Sequence, residues 1–194
     1  MKKIQDHYFM EAKKQGYVAR SAFKLEEMDR KFRLLRRGQH VIDLGCAPGS
    51  WLQYAAKKVL PEGSLTGVDL KQVKIQFPES VRIFQSDISM LEESILASSR
   101  FDLVLSDMAP DTTGIPSVDS QRSYDLNSQA LSFAQRHLKP GGTLVLKAFQ
   151  GEPLNRLKSE IRACFESFKL FKPKSSRSES VEIFVLGFGL LPQS

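Results

Sequence analysis

The chain has 194 residues, 41% of them hydrophobic, and a formal net charge of +6. A chain of this length buries about 70% of its unfolded surface around a single core, so we expect one domain. The sequence contains neither the run of about 18 apolar residues that a membrane helix needs nor a secretory signal. These features predict a cytoplasmic protein with no membrane partner, and we expect a monomer.

The two cysteines, Cys46 and Cys164, lie far apart, and neither a Cys-x-x-Cys motif nor a histidine cluster accompanies them. This spacing argues against a zinc site and gives no basis for a disulfide framework. We therefore predict that no metal is bound, and we interpret Cys164 as a residue of the core.

The positive charge is concentrated at the start of the chain. Residues 1–37 hold eleven Lys and Arg against five Asp and Glu, whereas residues 38–194 hold seventeen of each. A basic extension on a neutral body is typical of proteins that bind a phosphate backbone. A solvated surface has the same composition and stays the alternative. We predict that residues 1–37 form a helical extension, part of the same domain, that docks nucleic acid.

Strand-like and helix-like segments alternate after residue 37. Strand-like runs are predicted at 40–45, 64–70, 81–85, 101–106, 142–149, 168–172 and 181–190. Helices are predicted at 51–59, 88–97, 120–138 and 152–168. The polar segment 173–180 is long enough to join the last two strands as a hairpin connection. This order predicts an α/β fold with a mostly parallel sheet, helices on both faces and an antiparallel last strand.

A glycine-containing loop, Asp43-Leu-Gly-Cys-Ala-Pro-Gly-Ser-Trp51, follows the first predicted strand. Its glycines, Gly45 and Gly49, let the backbone pass close to a ligand where a Cβ would obstruct it. The spacing is Gly-x-x-x-Gly rather than the Gly-x-Gly-x-x-Gly of dinucleotide sites. The loop therefore favours a compact nucleoside over a pyrophosphate.

Two aspartates end the next two predicted strands. Asp69 can accept hydrogen bonds from both hydroxyls of a ribose, and Asp87 can reach the amino group of an adenine. Asp87 could equally cap the helix that follows it, and both interpretations stay open. Carboxylates for ribose and base, without a phosphate-binding lysine loop, favour S-adenosylmethionine over ATP or NAD.

Lys147 interrupts the apolar run at 142–149, where an ammonium group is costly unless a local partner stabilises it. The alternative is a lysine at a frayed strand end with its head in water. A lysine normally keeps its proton at neutral pH. Lys147 could therefore act as a base only in surroundings that favour the neutral amine, and would otherwise orient a hydroxyl and stabilise developing negative charge.

The segment Ser106-Asp-Met-Ala-Pro110 ends the fourth predicted strand, where enzymes of this architecture place the reacting atom of the substrate. Methylation of a base amine would require an aromatic residue after the proline to stack the flipped base, but Asp111 stands there. Neither cysteine lies in the Pro-Cys setting of a cytosine C5 enzyme. Together with Lys24 and Glu182, Asp107 and Lys147 could surround one hydroxyl, or the four could form two ordinary ion pairs.

Five segments together resemble the FtsJ/RrmJ family of RNA ribose 2′-O-methyltransferases. They are Ser-Ala-Phe-Lys-Leu, Asp-Leu-Gly-Cys-Ala-Pro-Gly-Ser-Trp, Ser-Asp-Met-Ala-Pro, Val-Leu-Lys-Ala-Phe-Gln-Gly and Ser-Ser-Arg-Ser-Glu-Ser-Val-Glu. The resemblance implies a Rossmann-like class I S-adenosylmethionine-dependent methyltransferase domain over residues 38–194, with a seven-stranded sheet and RNA as the partner of residues 1–37. It implies a Lys-Asp-Lys-Glu tetrad at the 2′-hydroxyl, formed by Lys24, Asp107, Lys147 and Glu182. It also implies cofactor contacts at Gly49, Trp51, Asp69, Asp87 and Asp107.

Resemblance to the bacterial branch of the family implies a uridine of large-subunit ribosomal RNA, in the assembled subunit, as the target. Members that act on transfer RNA or on messenger RNA caps use the same chemistry and are the first alternatives. A non-catalytic factor that binds ribosomal RNA is another, and the complete tetrad counts against it. A nicotinamide-dependent dehydrogenase is a third, and the missing Gly-x-Gly-x-x-Gly motif counts against it.

Overall fold

The computed structural model describes residues 2–91, 100–177 and 179–192. These residues form five α-helices: α1 (Lys2–Lys14), α2 (Ala22–Phe32), α3 (Ser50–Val59), α4 (Pro116–His137) and α5 (Pro153–Cys164). They also form seven strands: β1 (His40–Leu44), β2 (Ser64–Asp69), β3 (Val81–Gln85), β4 (Phe101–Ser106), β5 (Leu138–Phe149), β6 (Phe165–Phe171) and β7 (Glu182–Leu190). None of the helices in these ranges combines the length and the apolar character needed to cross a membrane.

The strands form one sheet in the order β3-β2-β1-β4-β5-β7-β6. The first five strands run parallel, and β7 runs antiparallel to both β5 and β6. Chain order reverses between β1 and β4, which is where ligands bind in open α/β sheets. The predicted α/β fold with its antiparallel last strand is confirmed.

Helices cover both faces of the sheet because the central strands are apolar along their length. On one face, α1, α2 and α3 pack in a core that includes Leu25, Met28 and Leu105. On the other, α4 and α5 pack in a core that includes Phe133 and Leu146. The N-terminal helices are therefore part of the same hydrophobic core as the sheet.

The predicted helix at 152–168 was wrong at its C-terminal end. The helix stops at Cys164, and Phe165–Phe171 forms strand β6. The sequence Phe-Glu-Ser-Phe-Lys-Leu-Phe has apolar residues at both helical and strand spacing, so periodicity alone cannot separate the two. Pairing with β7 decides in favour of the strand. The predicted helix at 88–97 begins with a short 3-10 turn at Ile88–Met90, and its residues 92–97 lie outside the described part.

Candidate active site

A cavity of about 340 Å³ opens at the carboxyl ends of the first four strands. Asp69, Asp87 and Asp107 line it, as the order of the strands predicts. Gly45 adopts φ 78°, and a Cβ there would lie 2.7 Å from Cγ of Met108. The loops after β1 and β4 therefore approach each other closely only because residue 45 is glycine.

The Asp69 carboxylate organises two loops at the rim of this cavity. Its Oδ2 accepts a hydrogen bond from the backbone N–H of Ala47 at 2.8 Å, and its Oδ1 accepts one from Lys71 N–H at 2.7 Å. Each carboxylate oxygen has a further lone pair with which to accept a ligand hydroxyl. Asp69 can thus hold a ribose while it fixes the loop after β1.

Asp87 caps the short 3-10 turn that follows β3. Its Oδ1 accepts hydrogen bonds from Ser89 N–H at 2.8 Å and from the Ser89 hydroxyl at 2.7 Å. These bonds from Ser89 lower the pKa of the Asp87 carboxyl below its usual value. The capping interpretation is therefore realised in the structure, and the same side chain also lines the cavity.

Gly49 and Trp51 lie beside the cavity rather than among its lining residues. Gly49 has φ 110° and precedes α3, and a Cβ there would lie 2.8 Å from Cδ1 of Ile75. Trp51 is buried and donates from Nε1 to the carbonyl of Ser21 at 2.8 Å. Its side chain joins α3 to the start of α2, and a cofactor contact at either residue stays a prediction.

Lys147 and Asp107 form a nearly buried ion pair at the edge of the cavity. Lys147 Nζ lies 3.0 Å from Asp107 Oδ1 and also donates to the Asp107 carbonyl, and the lysine side chain is 7% exposed. The carboxylate and the backbone carbonyl of Asp107 both accept hydrogen bonds, which suits the ammonium group of Lys147 as their donor. The alternative of a lysine head in bulk water is wrong.

Lys24 and Glu182 form a second, partly buried ion pair. Lys24 Nζ, on α2, donates to Glu182 Oε2, at the start of β7, at 2.7 Å. Burial raises the pKa of the Glu182 carboxyl, but attraction to the ammonium groups of Lys24 and Lys147 outweighs it. The pKa of Glu182 consequently lies below its usual value.

The two ion pairs lie side by side on one face of the sheet. In the β5–β7 register Lys147 faces Phe184 and Phe149 faces Glu182, so Lys147 and Glu182 are diagonal neighbours. Such neighbours have Cα atoms about 7–8 Å apart, within reach of long side chains. The electrostatic effect of Lys147 on Glu182 agrees with this placement. The structure thus brings all four residues of the predicted tetrad to one edge of the sheet.

The family model for FtsJ-like methyltransferases matches residues 17–190. The chain belongs to this family of FtsJ-like methyltransferases. The resemblance predicted from the sequence motifs is confirmed, and the protein is a methyltransferase. The matched range includes the cavity, both ion pairs and the whole sheet.

Relatives of this methyltransferase include proteins named ribosomal RNA large subunit methyltransferase E. The chain is 44% identical to the one from Oleidesulfovibrio alaskensis, over 97% of this chain and 93% of that protein. It is 46% identical to the one from Desulfatibacillum aliphaticivorans, over 95% and 90% of the two chains. The matches are nearly full length on both sides.

Solved structures show the same fold. A Plasmodium falciparum protein described as a ribosomal RNA methyltransferase superimposes with a TM-score of 0.81 and 27% identity, over 91% of this chain and 100% of that chain. A protein of Clostridium thermocellum described as an rRNA methylase gives 0.59 at 14% identity, over 85% and 96%, and shows the fold alone.

Asp43 is a notable site residue to which the sequence reasoning gave no role. It is 1% exposed, and neither carboxylate oxygen has a hydrogen-bond partner among the described residues. Burial raises the pKa of the Asp43 carboxyl well above its usual value, the charges of Asp107 and Asp69 add to the rise, and Lys147 opposes it. The signal was present: like Lys147, Asp43 interrupts an apolar strand.

Glu27 is a second residue that the sequence reasoning missed. Its carboxylate accepts hydrogen bonds from the backbone N–H groups of Lys174 and Ser175 at 2.7 and 2.8 Å. Arg20, on the turn before α2, donates to the Ser175 carbonyl at 2.7 Å. The loop between β6 and β7 is therefore fastened to the segment that carries Lys24, close to where Glu182 begins β7.

Proposed function

We propose that this methyltransferase transfers a methyl group from S-adenosylmethionine to a ribose 2′-hydroxyl of large-subunit ribosomal RNA. The observation that carries the proposal is the convergence of Lys24, Asp107, Lys147 and Glu182 beside the cavity. The names of the full-length relatives support the choice of ribosomal RNA.

The cavity suits S-adenosylmethionine better than a nucleotide phosphate. Asp69, Asp87 and Asp107 line it, and three carboxylates disfavour a phosphate and favour the hydroxyls, the amines and the positive sulfonium of this cofactor. The close approach of the loops after β1 and β4 at Gly45 shapes the wall of this cavity, which both loops line. We propose that Asp69 holds the ribose, that Asp87 reaches the adenine and that Asp107 lies nearest the reacting end.

S-adenosylmethionine supplies a methyl group on a positively charged sulfur. The residues of the chain must then align the ribose oxygen with the S–CH₃ bond and assist the removal of its proton. We propose that Lys147 and Lys24 donate hydrogen bonds to that oxygen, and the ion pairs with Asp107 and Glu182 support this role because they hold the two ammonium groups in position. As a donor to Asp107, Lys147 orients the hydroxyl and stabilises developing alkoxide charge, and the hydroxyl proton passes to solvent water as the oxygen takes the methyl group.

Transfer of tritiated methyl groups to large ribosomal subunits, free ribosomal RNA and transfer RNA, assayed in parallel, tests the proposal. We expect incorporation into large-subunit RNA, in an alkali-resistant dinucleotide because the 2′-oxygen is blocked. Label found only in transfer RNA would favour the alternative substrate class. Binding of the protein to ribosomal RNA without any methyl transfer would favour a non-catalytic assembly factor.

A further inference from the structure

A second groove, of about 540 Å³, lies between α2 and the end of β6. Its lining includes three aromatic rings, Tyr8, Phe23 and Phe171, and a set of cationic side chains. We call it the aromatic groove. Nothing in the proposed methyl transfer uses it.

The aromatic groove adjoins the candidate active site on the same face of the sheet. Phe171 of β6 faces Phe184 of β7, which faces Lys147 of β5. Directly opposed residues share a face, and adjacent strands are about 4.8 Å apart, so Phe171 lies roughly 10 Å from Lys147. On α2, Glu27 of the groove follows Lys24 by three residues, a rise of about 4.5 Å. The groove is therefore within reach of the nucleotide next to one held at the tetrad.

The carboxylates in the groove are already engaged. Glu26 pairs with Arg30 at 2.9 Å, and Glu27 accepts the two backbone N–H groups of the β6–β7 loop. Among the described residues, no ion pair joins a carboxylate to Lys31, Lys172 or Lys174. The groove thus retains positive charge for an anion such as a phosphate.

Tyr8 and Phe171 are partly exposed, whereas Phe23 is 7% exposed and packs in the core beneath them. The ammonium group of Lys31 lies 4.9 Å from the centre of the Phe171 ring, and the guanidinium of Arg20 lies 5.9 Å from that of Tyr8. The two partly exposed rings are therefore in contact with mobile cationic side chains rather than covered by the core, and a base that stacks there takes the place of these cations. Aromatic rings beside lysines that have no carboxylate partner among the described residues are the combination by which proteins bind single-stranded nucleic acid.

We propose that the aromatic groove binds the nucleotide adjacent to the methylated ribose, with its base against the rings of Tyr8 and Phe171 and its phosphate near Lys31 and Lys174. This inference rests on the proposed function, since it assumes that RNA reaches the tetrad. It commits to an unpaired RNA segment, because a base stacked in a duplex cannot lie on a protein ring.

Two pairs of variants test the aromatic groove. Tyr8→Leu removes a ring, and Tyr8→Phe keeps it. Lys174→Ala removes an exposed cation of the groove. Its control, Arg162→Ala, removes an exposed cation of α5 on the opposite face of the sheet, where the Arg162 guanidinium lies 4.9 Å from the centre of the Phe168 ring. Affinity for a single-stranded oligouridylate is measured by fluorescence anisotropy over a salt series, and kcat and KM are measured with protein-free ribosomal RNA.

We expect Tyr8→Leu to weaken oligouridylate binding by at least about fivefold, the usual loss of one base–ring stack, and Tyr8→Phe to bind like the wild type. We expect Lys174→Ala to lower the slope of log affinity against log salt by about 0.7, whereas Arg162→Ala leaves it unchanged. For Tyr8→Leu and Lys174→Ala, KM should rise while kcat stays unchanged. Lys174 is exposed, so its variant tests the groove even if Tyr8→Leu proves unstable.

Wild-type protein that methylates no RNA would refute the proposed function itself. A different result would refute only the proposed role of the aromatic groove: the wild-type protein methylates RNA, and Tyr8→Leu and Lys174→Ala match Arg162→Ala in affinity, salt slope and KM. Groove variants that lose activity only on assembled subunits, and not on protein-free RNA, would assign the groove to a ribosomal protein and overturn the proposal.

Discussion

Lys147 and Glu182 are diagonal neighbours across β5 and β7, although they lie 35 positions apart in the sequence. This relationship joins the Lys147–Asp107 pair to the Lys24–Glu182 pair in one cluster. Because a surface ion pair alone contributes little to stability, the burial of this cluster beside a cavity points to chemistry rather than to folding.

Lys147→Ala is expected to abolish methyl transfer while cofactor binding survives. Loss of one preorganised donor at a developing oxyanion typically lowers kcat by about a hundredfold to a thousandfold. Single-turnover methyl transfer measures the first effect, and calorimetry with S-adenosylmethionine measures the second. Turnover like that of the wild type would refute the catalytic assignment of Lys147.

Asp69→Ala is expected to weaken cofactor affinity before it affects the chemical step. The change removes an acceptor for the ribose and also frees the N–H groups of Ala47 and Lys71. Loss of charged hydrogen bonds of this kind costs about 1.5–3 kcal/mol, which is roughly a tenfold to hundredfold rise in Kd. Calorimetry tests it, and an unchanged Kd beside a reduced kcat would move Asp69 out of the cofactor site.

Glu27→Ala is expected to lower kcat more than it raises the KM for RNA, because release of the β6–β7 loop displaces Glu182 without removing it. Glu27→Gln, which keeps one acceptor oxygen, should recover part of the activity. Glu26→Ala is the control, since Glu26 pairs with Arg30 on the surface of the same helix. Equal kinetics for the two alanine variants would show that the fastening of the loop has no catalytic role.

Asp43→Asn is expected to stabilise the cofactor-free protein at neutral pH. An acid whose pKa is raised by folding contributes stability below its unfolded value, about 3.9, and loses it as pH rises toward the raised pKa. The asparagine removes that pH-dependent loss. A gain of about 1 kcal/mol would raise Tm by about 2–4 °C. Thermal unfolding over a pH series tests this, and a Tm difference that does not grow from acid toward neutral pH would contradict it.

Replacement of Lys13, Lys14, Arg33, Arg36 and Arg37 together is expected to reduce RNA affinity and to flatten its salt dependence. In the structure these residues lie in two places, with the two lysines at the end of α1 and the three arginines before β1. The turn after α1, next to Lys13 and Lys14, contacts α3 because Gln53 donates a hydrogen bond to the carbonyl of Gly16 at 3.0 Å. The three arginines precede β1, and Arg37 pairs with Glu62.

Separate variants resolve the two parts of that set. The double change Lys13→Ala and Lys14→Ala should lower the salt slope more than the triple change at the arginines. Anisotropy with the same oligouridylate measures both. A larger effect of the arginines would place the RNA across the opposite edge of the sheet.

Much of the fold could be predicted because β1 to β5 are short apolar runs separated by clear breaks. The end of α5 could not, because the residues of β6 suit both a helix and a strand until β7 pairs with them. The acids of the cavity could be predicted because parallel strands bring their carboxyl ends to one edge. The pairing of Lys24 with Glu182 depends on the packing of α2 against β7, which local spacing does not encode, and only the family resemblance indicated it.

The reversed direction of β7 has an evolutionary consequence. Because this strand enters the reactive edge at its first residue, Glu182, an insertion or deletion in the hairpin that precedes it moves Glu182 unless residues 174 and 175 stay fastened to Glu27, whereas Lys147 and Asp107, on other strands, stay where they are.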